Sequence, residues 1–217
     1  MAQERGMFVV FEGIDGSGKG TQLNKLIEYI EELDKYQDVV KTHEPWKSKE
    51  IKQKLKEDKD AYSDGIKMAG LYVNDRINHS EDIDNLLNRG YFVICDRYKL
   101  STCAYQWTQG VDLYRLLKMH EDSRILTPDV NIFLDVSAEA ALERTAKREY
   151  KEKFENWNFQ RNLIAHYNSL ISRGDAKSLF GEIISVNGRD SKDDVAKNIR
   201  NAFAPFYEGW KNKEQKS

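Results

Sequence analysis

The chain has 217 residues, of which 32% are charged, and the two signs nearly cancel to a net charge of −2. That length suits one α/β domain with a substantial core, and the charge balance excludes the basic surface by which nucleic-acid binders neutralise phosphates. No stretch reaches membrane-spanning length, no signal-peptide core follows the first residues, and the two cysteines, Cys95 and Cys103, have neither metal nor disulfide spacing, so a cytoplasmic setting is expected.

The first apolar run, residues 8–12, reads as a strand covered on both faces. Directly after it stands Gly13-Ile14-Asp15-Gly16-Ser17-Gly18-Lys19-Gly20-Thr21, with the Gly-x4-Gly-Lys spacing of a phosphate cradle. Glycines let successive backbone N–H groups curl around phosphate oxygens, and the helix that follows adds the positive end of its dipole. All nine residues are candidate ATP-binding positions, with Lys19 as the mobile cation for the β- and γ-phosphates. The position usually held by Ser or Thr is Gly20, so either Thr21 or water completes the shell of the Mg²⁺ that such a loop implies. A helix over 21–33 then places Leu23, Leu26, Ile27 and Ile30 on one face.

A second strand, 39–42, leads into His43-Glu44-Pro45. A long helix over 66–88 carries Tyr72 and Arg76 one turn apart on one face and stops at Gly90. The third strand, 91–96, ends in Asp96-Arg97-Tyr98, at the sheet edge where open α/β folds bind ligands. It is followed by Ser101-Thr102-Cys103-Ala104-Tyr105-Gln106, and Thr127-Pro128-Asp129 precedes a fourth strand over 130–135. From Ser137 a charge-rich stretch carries Arg144, Lys147, Arg148, Glu152, Lys153 and Glu155, which is ordinarily a solvated helix face. After a fifth strand, 182–186, the last helix opens at Ser191 with Val195, Ile199 and Phe203 as its buried stripe. Pro205 is expected to follow its end, and the polar tail from Lys211 to fray. The alternation predicts an α/β P-loop NTPase fold in a single domain over 1–217: a five-stranded parallel sheet with helices on both faces.

A phosphate loop names a ligand class and not a reaction. The guanine-selective Asn-Lys-x-Asp segment of GTP switches is absent. The loop with Asp15, the block Asp96-Arg97-Tyr98-x-x-Ser101-Thr102-x-Ala104-Tyr105-Gln106, and Thr127-Pro128-Asp129 together resemble the thymidylate kinase family over nearly the whole chain. The resemblance implies ATP-dependent phosphorylation of dTMP to dTDP with Mg²⁺, a homodimer, and no nucleic-acid or membrane partner. It implies that Arg97 grips the acceptor's 5′-phosphate, that Arg76 is a second phosphate clamp, and that Tyr72 stacks on the base. It also implies that Thr102 reads the pyrimidine edge, that Tyr105 crowds the sugar C2′ position, and that Gln106, Ser101 and Glu44 line the acceptor site. Asp15 would contact the 3′-hydroxyl, and Asp15, Thr21 and Asp96 would meet the metal, mostly through water. His43 stands where the family commonly has arginine and reads as a polar lining residue, whereas His79, His120 and His166 read as bland.

In this family the segment 144–158 resembles a mobile lid over ATP, in which Glu152 and Glu155 would touch the substrate hydroxyl or bound water. Gly16 follows Asp15 where some relatives have arginine, so the lid is expected to supply the transition-state cation, from Arg144 or Arg148. The catalytic set is then Lys19, Arg97, Asp15 and those lid arginines, acting by alignment and charge neutralisation. A different monophosphate such as dUMP as acceptor, and a non-catalytic nucleotide sensor, are the alternatives.

Overall fold

The computed structural model describes residues 5–58, 60, 62–146 and 156–214. Five strands, β1 (Phe8–Glu12), β2 (Val39–His43), β3 (Phe92–Asp96), β4 (Val130–Asp135) and β5 (Glu182–Asn187), form a parallel sheet in the order β2-β3-β1-β4-β5. The strand predictions therefore hold within about a residue. Successive side chains leave opposite faces of a strand, and both faces are covered. Val9 and Phe11 of β1 pack under α1 (Lys19–Leu33) and α9 (Lys192–Glu214) with Leu23, Leu26, Ile199 and Phe203. Phe8 and Val10 face the other way, toward Val73, Ile83 and Leu87 of α3 (Gly65–Leu87).

After β1 the chain turns onto the α1 face. After β3 it turns onto the opposite face as α4 (Lys99–Thr108), which packs with α7 (Trp157–Ile171). The two divergent exits leave a crevice at the carboxyl edge of the sheet, the ligand position of open α/β folds. Of the shorter helices, α2 (Lys49–Glu57) and α6 (Ala138–Thr145) bring Leu55 and Arg144 to that crevice, α5 (Leu113–Met119) packs against α3 and α4, and α8 (Ala176–Phe180) leads into β5.

The sequence reading did not resolve α2, α4, α5, α7 or α8. The cause is plainest in α4, where nine of ten residues are buried, polar ones included, so no amphipathic stripe exists to be read. The end of α9 also departs from expectation. The helix runs through Pro205 to Glu214. Pro205 and Asn201 lie on the exposed face, so the carbonyl deprived of its N–H partner can turn to water. On the buried face Phe203 and Tyr207 continue the stripe, and Trp210 meets Phe92 edge-on with centroids 4.6 Å apart. Lys211, expected to fray, is helical and pairs with Asp34 at 2.7 Å.

Phe203 is fully buried between α9 and the sheet. Phe203→Ala is expected to lower unfolding free energy by about 3–5 kcal/mol, measured by urea denaturation, without altering the isolated site residues.

Candidate active site

The loop between β1 and α1 is held in a conformation that its glycines alone permit at low cost. Gly13, Gly16 and Gly18 have φ of 141°, 82° and 95°. At Gly16 a Cβ would also lie 2.4 Å from the carbonyl oxygen of Ala141, because α6 packs directly onto the loop. A side chain at this position would have to displace α6. An arginine arrives from α6 instead: Arg144 Nη1 lies 3.4 Å from the Gly16 carbonyl oxygen, and Nη2 donates to the Gly188 carbonyl at 3.0 Å.

Lys19 is folded back into the cradle, its ammonium donating to the Gly13 and Ile14 carbonyls at 2.9 and 3.0 Å. Burial, and then the nearby Arg97 charge, pull its pKa down to about 8. Ser17 Oγ and Asp96 Oδ1 are buried without a protein partner. Gly20 and Thr21 line the cleft, and a Cβ on Gly20 would meet nothing within 4 Å.

Glu12, the last residue of β1, organises the opposite wall. Its buried carboxylate accepts from the backbone N–H of Tyr98 at 2.9 Å and of Ser101 at 3.1 Å, and from the Ser101 hydroxyl. The N-cap position of α4, Tyr98, offers no side-chain cap, so a carboxylate from another strand satisfies the helix's orphan donors. Burial pushes the Glu12 pKa up, and the Ser101 hydrogen bond and Arg97 charge offset this only in part. Ser101, expected to face substrate, does line the cleft, but its hydroxyl is engaged by Glu12.

Just before α4, Arg97 sits at φ 70°, an unusual value for a side-chain-bearing residue and one found at functional sites. Its backbone N–H continues the β1 ladder to the Phe11 carbonyl at 2.9 Å, so the sheet enforces the conformation. The guanidinium donates to the Gly13 carbonyl at 3.0 Å and pairs with Asp15 at 2.5 Å. The Tyr105 hydroxyl donates to the other Asp15 oxygen at 3.0 Å, and Arg97 lies 5.1 Å from the Tyr105 ring centre. Burial would raise the Asp15 pKa, yet the charges of Arg97 and Lys19 outweigh it and the carboxyl falls below its ordinary value.

Beyond Arg97 the cleft is walled by Tyr72, whose phenol burial pushes upward in pKa, and by Arg76 one turn later. Arg76 departs from the expectation of a second phosphate fork. It is fully buried, and its Nε and Nη2 edge already grips Glu44, with Nη2 to Glu44 Oε2 at 2.5 Å. Nη2 also donates to Thr102 Oγ1 at 2.7 Å, and Nη1 lies 2.6 Å from His120 Nε2. The bidentate edge is thus committed to Glu44, which in turn lies 3.2 Å from His79 Nδ1. Gln106 is buried with its Oε1 unpartnered at the same wall. His43, expected to line the site, is exposed, outside the cleft, and packs edge-on against Trp46.

Asp15, Gly16, Gly18, Lys19, Arg144, Tyr72, Arg76, Arg97, Thr102 and Tyr105 therefore share one cleft of about 790 Å³, whereas Gly13, Ile14 and Ser17 form the loop behind it. Arg148, Glu152 and Glu155 lie outside the described residues, as do Lys147 and Lys153. The sequence reading missed Lys192 and Leu55 at the cleft, the buried Glu12 that supports its wall, and the histidine contacts to Glu44 and Arg76. The family model described as thymidylate kinase matches residues 11–199. The chain belongs to the thymidylate kinase family. A probable thymidylate kinase of Methanococcus aeolicus is 33% identical over 194 residues, covering 88% of this chain and 93% of that protein. One from Pyrococcus horikoshii is 36% identical over 205 residues, covering 90% and 94%. A thymidylate kinase of Caldicellulosiruptor saccharolyticus is 33% identical over 204 residues, covering 90% and 95%.

Two outcomes test the loop. Gly16→Ala is expected to destabilise the fold by more than about 1 kcal/mol in denaturant titrations, whereas Gly20→Ser should stay within about 1 kcal/mol of the parent. Because the Lys19 pKa is depressed from 10.5 to about 8, the free protein loses this charge as pH rises through 8. A bound triphosphate favours the charged form, so ATP binding at pH 9 should take up a proton and weaken as pH rises further. Calorimetry in two buffers of different ionisation heat reads this directly.

Proposed function

We propose that the protein transfers the γ-phosphoryl group of ATP to dTMP, giving dTDP and ADP. One observation carries this reading: the phosphate loop and the Arg97 wall open into the same cleft, so two anionic ligands can meet there. An acceptor phosphate oxygen attacks the γ-phosphorus as the bond to the β-phosphate oxygen breaks. No strong base is needed, because the acceptor is already anionic, and the chain's contribution is alignment and charge neutralisation.

In this reading the loop amides and Lys19 hold the donor phosphates, and Lys19 exchanges its carbonyl partners for phosphate oxygens. Arg97 leaves Asp15 for the acceptor's 5′-phosphate, which frees Asp15 to meet the sugar 3′-hydroxyl beside Tyr105. Tyr72 stacks on the base. Arg76, with its fork edge on Glu44, belongs with Thr102 and Gln106 at the base's polar edge rather than at the phosphate. Arg144, already over the loop, is the described candidate for the cation at the transferring group; Arg148 and the glutamates Glu152 and Glu155 complete the lid in this proposal.

The family uses ATP, generally with a divalent metal, and we take that metal to be Mg²⁺. Among the described residues no three acidic, histidine or cysteine side chains cluster as a cage. One unpartnered Asp96 oxygen, in the cleft that Thr21 and Asp15 also line, suits a cation whose remaining ligands are phosphate oxygens and water. When bound, the ion would supply charge neutralisation across the β- and γ-phosphates. No helix among the described residues is long and apolar enough to cross a membrane. A cytoplasmic homodimer of single-domain chains fits the proposal.

Arg97→Ala is expected to cut turnover of dTMP by a hundredfold or more while leaving the thermal transition nearly unchanged. ADP release measured by a coupled assay across dTMP, dUMP and other monophosphates checks the acceptor. Near-normal turnover in that variant, or no ADP release with dTMP, overturns the proposal.

A further inference from the structure

Arg76 is gripped from two sides. Glu44, at the exit of β2, takes its Nε and Nη2 edge, and His120, directly after α5, meets Nη1 at 2.6 Å. The chemistry of the partners fixes the state of this histidine. Arginine can only donate, so Nε2 must present a lone pair. Nδ1 lies 2.7 Å from the Leu116 carbonyl oxygen, which can only accept, so Nδ1 must carry the hydrogen. A neutral ring with hydrogen on Nδ1 satisfies both contacts, and no other form does. Burial, and then the Arg76 charge, push the His120 pKa down to about 3, in keeping with a ring that stays neutral through the working range. Cys103 Sγ, at 3.7 Å from Nδ1, is a weak neighbour. Lys99 is the other charged group acting on the ring, and it disfavours protonation as well.

We propose that His120 is a positioning residue for acceptor recognition: as an obligate hydrogen-bond acceptor it holds the Arg76 guanidinium against the acceptor wall of the cleft. Without it, Nη1 would be left buried with a lost partner, and only the Nε and Nη2 contacts to Glu44, Thr102 and the Tyr98 carbonyl would still orient the guanidinium. The inference rests on the reading that Arg76 faces the acceptor. His120 itself is not among the residues lining the cleft, so its effect must pass through Arg76.

Two isosteric variants separate the two bonds. His120→Asn keeps an N–H near the Nδ1 position for the Leu116 carbonyl but has nothing at the Nε2 position. His120→Gln places an amide oxygen where Nε2 was. H120N is expected to raise the KM for dTMP on the order of tenfold or more, with kcat and the KM for ATP within about twofold, and H120Q to recover most of that loss. An unchanged dTMP KM in H120N, or equal losses in H120N and H120Q, overturns the proposal even if both variants melt at lower temperature. Arg76→Ala is the control for the underlying reading: a dTMP KM unchanged there sinks the acceptor-side role of Arg76, whatever His120 does. Should H120N fail to fold, ¹⁵N NMR of the His120 ring in the parent protein decides. A neutral ring with its hydrogen on Nδ1 is expected, and hydrogen on Nε2 or a doubly protonated ring at pH 7 refutes the contact.

Discussion

The carboxylate of Glu12 joins the two halves of this site. It ends β1, immediately before the phosphate loop, and it caps the first turn of α4, 86 residues away from it at Tyr98. A buried carboxylate is costly unless hydrogen-bonded, and here two backbone amides and a hydroxyl offset that cost. The geometry that results is a consequence of that satisfaction. The glycine loop after β1, and the turn that carries Arg97 into the helix bearing Thr102, Tyr105 and Gln106, are referenced to a single pair of oxygen atoms. Movement of α4 relative to the loop would strand a charge in the interior.

The charged side chains of the cleft neutralise one another. Arg97 holds Asp15, Lys19 turns to backbone carbonyls, and Arg76 holds Glu44. Ligand binding in such a site resembles ion exchange more than the filling of an empty positive well. In the proposed reaction a phosphate displaces an internal partner at Arg97, and the displaced Asp15 must then find a hydroxyl or a metal-bound water. This arrangement disfavours a lone inorganic anion, which offers no group to receive Asp15, and favours a nucleotide that brings both phosphate and hydroxyl.

Much of this was legible in the sequence, for identifiable reasons. The five strands announced themselves because parallel strands covered on both faces are apolar nearly throughout, as Phe8–Glu12 is. The phosphate loop was readable because its chemistry lies in consecutive residues, and Arg97 because it directly follows a strand. What could not be read was set by contacts between distant residues. Helix α4 hides its period because it is buried all round. Pro205 looked like a terminus because its tolerance depends on facing water. Arg76 looked like a free fork, because nothing local reveals that Glu44, 32 residues earlier, takes its edge. His120 is 44 residues from Arg76 and carries no motif at all.

The close seat of α6 on Gly16 also bears on how such a site can change over generations. Two ways of delivering a cation to the transferring group, from the loop or from the helix above it, look interchangeable on paper. In this chain they exclude each other, because the backbone of Ala141 occupies the space a loop side chain would need. A one-codon step from Gly16 to arginine would meet that wall before it could contribute charge. Room for such a side chain would require α6 to shift, and Arg144 rides on α6. The packing of one small helix thus ties what the loop can carry to where Arg144 stands.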